Sequence, residues 1–174
     1  MLPDPMAFRR TMGYFVTGVG VITTIEDDRP WGTTVNAFSS VSLDPPLVMV
    51  ALDQKRSISP VIRSTRKYAV NVLAEDQQVL SDCFAGAPTR PDRDHFCGAA
   101  WRPGTIGVPL LEGAIATLEC IVVDIHPVGD HEIFIGRVES LETRGAGAMP
   151  LLYYRRRYLR IEKAEASDLE GKEA

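Results

Sequence analysis

The sequence predicts a mainly β domain, an antiparallel barrel carrying a few short helices. Roughly seven segments have strand composition, only two or three have helical periodicity, and their order lacks the regular strand–helix–strand rhythm of a doubly wound sheet. The strands are rich in valine and isoleucine, and closing the sheet on itself removes the edges they would otherwise expose. At 174 residues, with 45% hydrophobic and 24% charged side chains, the chain suits one compact domain over 1–161 followed by a polar tail over 162–174. Wholesale disorder is excluded.

Taken in order, Asp4 can cap an opening helix, Pro5 suits its first turn, and Phe8, Met12 and Phe15 fall at i, i+4 and i+7, with Gly18 as the stop. Val19 to Glu26 and Trp31 to Val35 read as a hairpin around the turn residues Asp27 to Pro30. Ala37 to Val41 is a further short strand, and Leu47 to Leu52, an unbroken apolar run after Asp44-Pro45-Pro46, is a buried one. Ser57 or Ser59 can cap a short helix with Pro60 in its first turn, and Tyr68 to Leu73 returns to strand composition. From about Glu75, Val79, Leu80, Cys83 and Phe84 give a helix an apolar face that Gly86 ends, and Ala87 to Asp94 reads as a mobile loop. Ala114 to His126 and Glu132 to Leu141 form two long strands around a Gly129-Asp130 turn, with Leu151 to Tyr154 and Tyr158 to Ile161 closing the pattern.

Nineteen basic against 23 acidic residues leave a net charge of −4, which offers phosphodiester backbones no overall attraction and excludes nucleic acid as the expected partner. Cys83, Cys97 and Cys120 cannot pair completely and form no Cys-x-x-Cys, so neither a disulfide framework nor a zinc ribbon is indicated, and a reducing cytoplasm fits best. Arg9-Arg10 before an uncharged stretch superficially copies a twin-arginine signal. The stretch is too short and polar to span a bilayer, carries several glycines and threonines, and has no A-x-A-like cleavage site. No membrane is expected.

Gly32 to Ser42 is a run of small, hydroxylic and amide residues without a charge. Ordinary β-propensity with turn serines accounts for it, and so does a cradle for an uncharged heterocycle. The loop Asp53-Gln54-Lys55-Arg56-Ser57 lies between a buried strand and a helix start, where cations, hydroxyls and backbone amides suit a phosphate. A neutral cradle and a phosphate clip so close in sequence are together what flavin mononucleotide requires.

The run Gly32 to Leu47, then Tyr68-Ala69-Val70-Asn71-Val72-Leu73, Gly129-Asp130-His131 and Pro150-Leu151-Leu152-Tyr153-Tyr154 resemble the short-chain flavin reductase family over nearly the whole domain. The resemblance implies a split antiparallel β-barrel of Greek-key type, a homodimer, and NADH or NADPH reducing FMN or FAD, in many members for a separate monooxygenase. It also implies that Thr33, Thr34, Val35 and Asn36 line the isoalloxazine edge, that Ser39 and Ser40 lie near the ribityl-phosphate end, and that Lys55 and Ser57 help hold phosphate. His131 would stand near the nicotinamide and is the candidate catalytic residue; a histidine at a strand end is its structural alternative. Where the family commonly shows Tyr-Arg-Gly-x-Tyr, this chain reads Tyr154-Arg155-Arg156-Arg157-Tyr158; without the glycine, any residue at positive φ there is strained. The arginine triplet reads as a solvated turn, with coenzyme phosphate binding as its functional alternative. Two other functions remain compatible with such a fold: a flavin-binding electron carrier, and a reductase of another acceptor such as a corrinoid or metal chelate.

Overall fold

The computed structural model describes residues 2–86, 96–145 and 147–161; the expected loop at 87–94 and the tail from 162 lie outside them. Asp4 accepts a 2.8 Å hydrogen bond from the Ala7 amide and caps α1 (Pro5–Met12). The helix stops at Gly13 rather than at Gly18, so Phe15 is not part of it. Thr17–Gly18 instead form β1, which pairs with Leu152–Tyr153. Gly20–Glu26 (β2) and Arg29–Val35 (β3) make the expected hairpin, with Asp27 and Asp28 both left-handed (φ 50° and 60°), as a type I′ turn demands.

Phe38–Leu43 (β4) and Pro46–Asp53 (β5) form the next hairpin, and Ile58–Thr65 (α2) leads into Lys67–Val72 (β6). Ser57 occupies the α2 cap position without a side-chain capping bond; the Ser59 hydroxyl donates to the Asp53 carbonyl at 3.3 Å. The next helix, α3 (Gln78–Phe84), starts later than the apolar pattern suggests, because Gln77 accepts from the Ala74 amide and holds 74–77 as a turn. Its buried residues are Ser81 and Phe84, while Val79 is exposed.

Trp101–Pro103 (β7) and Pro109–Leu111 (β8) pair as a small ribbon that strand periodicity does not reveal, since each is three residues long and contains proline. Ala116–Val128 (β9) and His131–Thr143 (β10) are the two long strands, and Leu152–Tyr154 (β11) with Arg157–Leu159 (β12) end the domain. Among the described residues no helix is long and apolar enough to cross a membrane.

Seven strands form one antiparallel sheet in the order β3-β2-β6-β9-β10-β5-β4. It curls around a single core in which Ile22, Val50, Ile62, Tyr68, Val70 and Phe134 meet from both halves. Hydrogen bonds do not close it. The edges β3 and β4, consecutive in the chain, stay unpaired with each other, so the barrel is split and the expected removal of edges does not occur. Burial pushes the Cys120 thiol up to about 12 and raises the Tyr68 hydroxyl beside it. That hydroxyl has no hydrogen-bond partner of good geometry, and it fills the space over Gly136, where a Cβ would lie 2.4 Å from it.

A second cluster places Phe84, Phe96, Leu111 and Leu151 together outside the sheet. Within it Cys83 and Cys97 form a disulfide, with Cα atoms 6.0 Å apart, which corrects the expectation drawn from the cysteine count. An odd count excludes complete pairing only; packing of α3 against the 96–98 turn brings one pair within reach.

Candidate functional site

Because β3 is an edge strand, one side of its backbone has no sheet partner and remains available for hydrogen bonding. Gly32 lets α3 pack close beside it: a Cβ there would lie 2.4 Å from the Phe84 ring. The Thr34 hydroxyl then donates to the Ser81 carbonyl at 2.6 Å, fixing helix against strand.

Between them opens a cavity of about 300 Å³, walled by Thr34, Val35, Asn36, Ser81, Asp82 and Ala85 and capped by Tyr153, Arg156 and Tyr158. The Tyr158 hydroxyl donates to Asp82 at 2.7 Å and lies 2.9 Å from the Ser81 hydroxyl. Burial first, then the negative charge of Asp82, hold that phenol up at about 12, against the opposing bond from Ser81. It therefore stays a proton donor at neutral pH.

A second cavity of about 320 Å³ adjoins the first through Val19, Val35 and Asn36, and it is lined by Phe15, Val16, Phe38, Val70 and Val72. Asn36 stands at the junction, exposed, and its carboxamide makes no hydrogen bond within the described chain. Beside the middle of β3, Gly32, Thr33, Arg56, Ser57 and Gly86 surround a pocket of about 140 Å³, into which Arg56 is steered by donating to the Ala85 carbonyl at 3.2 Å. Thr33 is almost fully buried and forms part of that pocket's floor.

The structure thus gathers Thr33, Thr34, Val35 and Asn36 along one edge, with Ser57 at one end. It does not bring the other expected residues to these cavities. Lys55 lies nearer Asp130, and Arg56 rather than Lys55 borders the phosphate-sized pocket. Ser39 and Ser40 are exposed on β4, the opposite edge. His131 opens β10, half exposed, with Nδ1 2.6 Å from the Asp130 carboxylate. That bond, followed by the charge on His131, lowers the pKa of Asp130, with a smaller contribution from Lys55.

Sequence reading did not find the wall made by Ser81, Asp82 and Tyr158. Ser81 and Asp82 sit inside a helix read only for its apolar face, and their partner lies far along the chain. Nor is the arginine turn simply solvated, since Arg155 covers the Tyr14 ring at 4.8 Å and Arg156 lines the cavity of about 300 Å³. The other motif asparagine, Asn71, is structural: it donates to the Val21 carbonyl and the Thr23 hydroxyl and accepts from the Leu111 amide at 2.7 Å, fully buried.

Residues 12–162 match the family described as flavin reductase like domain. The chain belongs to that family. It is 47% identical over 140 residues to an NADH-dependent flavin reductase of Rhodococcus sp, covering 79% of this chain and 76% of the relative. It is 39% identical over 160 residues to the reductase subunit HsaB of a flavin-dependent monooxygenase of Mycobacterium tuberculosis, covering 91% and 83%. Among solved structures, the NADH:FAD oxidoreductase SgcE6 of Streptomyces globisporus C-1027, in complex with NAD and FAD fragments, superposes with a TM-score of 0.84 at 34% identity, covering 97% of this chain and 99% of that one.

Proposed function

We propose that this protein is an NADH-dependent flavin reductase that supplies reduced FMN or FAD to a separate monooxygenase. The observation that carries the reading is the cleft along β3, where Thr34, Val35 and Asn36 are uncharged and Arg56 borders a small pocket nearby, in a chain 47% identical to an NADH-dependent flavin reductase.

The residues present fit a flavin. The free backbone edge of β3 and the Asn36 carboxamide offer donors and acceptors to the carbonyl and imide groups of the ring, and the apolar second cavity accepts its hydrocarbon end. Arg56 and Ser57 hold the phosphate, with Lys55 contributing charge from the same loop. Bound flavin supplies the hydride acceptor at N5, and the coenzyme supplies the hydride. The chain contributes position and exclusion of water; the protonated Tyr158 engages the Asp82 carboxylate in the cavity wall.

Phe15, which lines the second cavity, is 70% exposed, and Phe8 on α1 and Leu43 on β4 leave further apolar surface uncovered at 59% and 91%. A homodimer that buries them completes the site, and sedimentation measures it. Within one chain His131 borders none of the cavities, so its part in hydride transfer requires the second protomer. His131→Ala then slows flavin reduction about tenfold, roughly 1.4 kcal/mol, at unchanged thermal midpoint; an unchanged rate removes His131 from the site. A cytoplasmic placement rests on the reductase function alone, because the Cys83–Cys97 bridge removes the cysteine argument for a reducing compartment. The decisive experiment follows NADH and NADPH oxidation while FMN and FAD are varied. Saturable turnover with free flavin supports the reading, and absence of turnover with either flavin refutes it.

A further inference from the structure

Three arginines follow one another in the β11–β12 turn, and the structure gives each a different setting. Arg155 binds the N-terminal segment, its amide donating to the Gly13 carbonyl at 2.9 Å and its guanidinium lying over Tyr14. Arg157 opens β12 opposite Tyr154 and is exposed. Only Arg156 lines the cavity of about 300 Å³, and among the described residues it has no ion pair. The one carboxylate in that wall, Asp82, is engaged by the Tyr158 hydroxyl. The remainder of the wall is neutral, with two tyrosines.

Position sharpens the point. Arg155 and Arg156 are both left-handed, at φ 47° and 66°. The Asp27-Asp28 turn has the same backbone, but short polar side chains tolerate that region, whereas a long cationic one gains nothing locally from it. A guanidinium held on such a backbone, at the rim of an aromatic cavity and with no ion pair among the described residues, is suited to receive an anion attached to a ring-bearing ligand. In the reductase reading the flavin phosphate already has Arg56 and Ser57 beside Gly32 at the middle of β3, while Arg156 stands in the separate cavity by Asn36. The second anion therefore belongs to the second ligand.

We propose that Arg156 determines coenzyme affinity by receiving a phosphate group of the nicotinamide dinucleotide. The inference rests on the reductase reading above. The phosphate has two sources, the pyrophosphate common to both coenzymes and the 2′-phosphate of NADPH alone.

The test compares wild type with Arg156→Gly, which suits the left-handed backbone and keeps the fold, and with Arg156→Lys, which keeps the charge but not the fork. Three readouts are taken: KM for NADH and NADPH, calorimetric Kd for NAD⁺ and NADP⁺, and Kd for FMN by fluorescence. In Arg156→Gly the coenzyme KM and Kd rise about tenfold or more, as loss of one charge-assisted hydrogen bond requires, and Arg156→Lys recovers part of the loss. A rise for both coenzymes assigns the pyrophosphate, and a rise confined to NADPH and NADP⁺ assigns the 2′-phosphate. Unchanged coenzyme constants in Arg156→Gly overturn the proposal, as does a loss that falls on FMN while the coenzymes are unaffected. Failure of wild type itself to oxidise NADH with flavin would instead refute the reductase reading, so the two failures are distinct.

Discussion

At the middle of the sheet, Asn71 on β6 and Glu119 on β9 are buried polar residues whose partners are all protein: Asn71 ties β2 to β8, and Glu119 accepts from the Thr105 amide and hydroxyl and the Ile106 amide, each at 2.9 Å. At the β3 edge, Asn36 is exposed with its carboxamide unengaged, beside cavities instead of packed side chains. Two asparagines in motifs of the same family thus do opposite work. A polar group whose capacity is saturated internally holds the architecture; one left unsaturated beside a cavity is available to a ligand.

Breaking the saturated region should have the largest effect. Asn71→Leu fits the volume but leaves the Leu111 amide and the Val21 carbonyl unpaired in the core, and urea unfolding should register a loss of about 3 kcal/mol. Next comes the border between the regions. Gly32→Ala drives a Cβ into the Phe84 ring and pushes α3 away from β3, so it should cost about 1–3 kcal/mol and weaken flavin binding as well. Calorimetric melting and flavin fluorescence, run together, check that both change.

Asn36→Ala sharpens the contrast from the open side. Stability should hold within about 0.5 kcal/mol while flavin Kd rises about tenfold. An Asn36→Ala protein that lost stability but not flavin affinity would place Asn36 with Asn71.

The smallest effect concerns pH. Cys120 is pushed up to about 12 in the folded state from an ordinary value of 9.0, so between those values the unfolded chain has lost a proton that the folded chain retains. Stability from this group is intact below pH 9 and declines as pH rises toward 12. Cys120→Ser should flatten the alkaline limb of a stability profile, and the native thiol should resist alkylation at pH 8.

The strands were legible in the sequence because β-branched runs and turn residues alternate, and the apolar run Leu47 to Leu52 lies inside β5 as expected. The candidate cradle was legible too, since an uncharged hydroxylic run stands out among charged surface segments. What escaped depends on contacts between distant residues. Asn71 reads as one more member of a motif until Leu111 is seen to donate to it from β8. Glu119 lies mid-strand like a solvent-facing carboxylate, yet the 104–107 turn folds over it, and Gly104 leaves the room it needs. The choice of Arg56 over Lys55 at the small pocket turns on one rotation of the loop that local composition does not encode.

The β9–β10 hairpin has a consequence in time as well as in space. Thirteen residues on each side are joined by only Gly129 and Asp130, so these two strands can find each other by closing a very short loop. The β5–β10 pairing instead unites Asp53 with His131, about 80 residues apart in the chain. The central hairpin is therefore a natural nucleus on which the β2–β3 and β4–β5 hairpins, closed by equally short turns, assemble through the longer-range β5–β10 and β6–β9 pairings. The edge strands β3 and β4, each held by one neighbour, open most often in the native ensemble, so amide exchange there should be the fastest in the sheet, and a flavin bound along β3 should slow it.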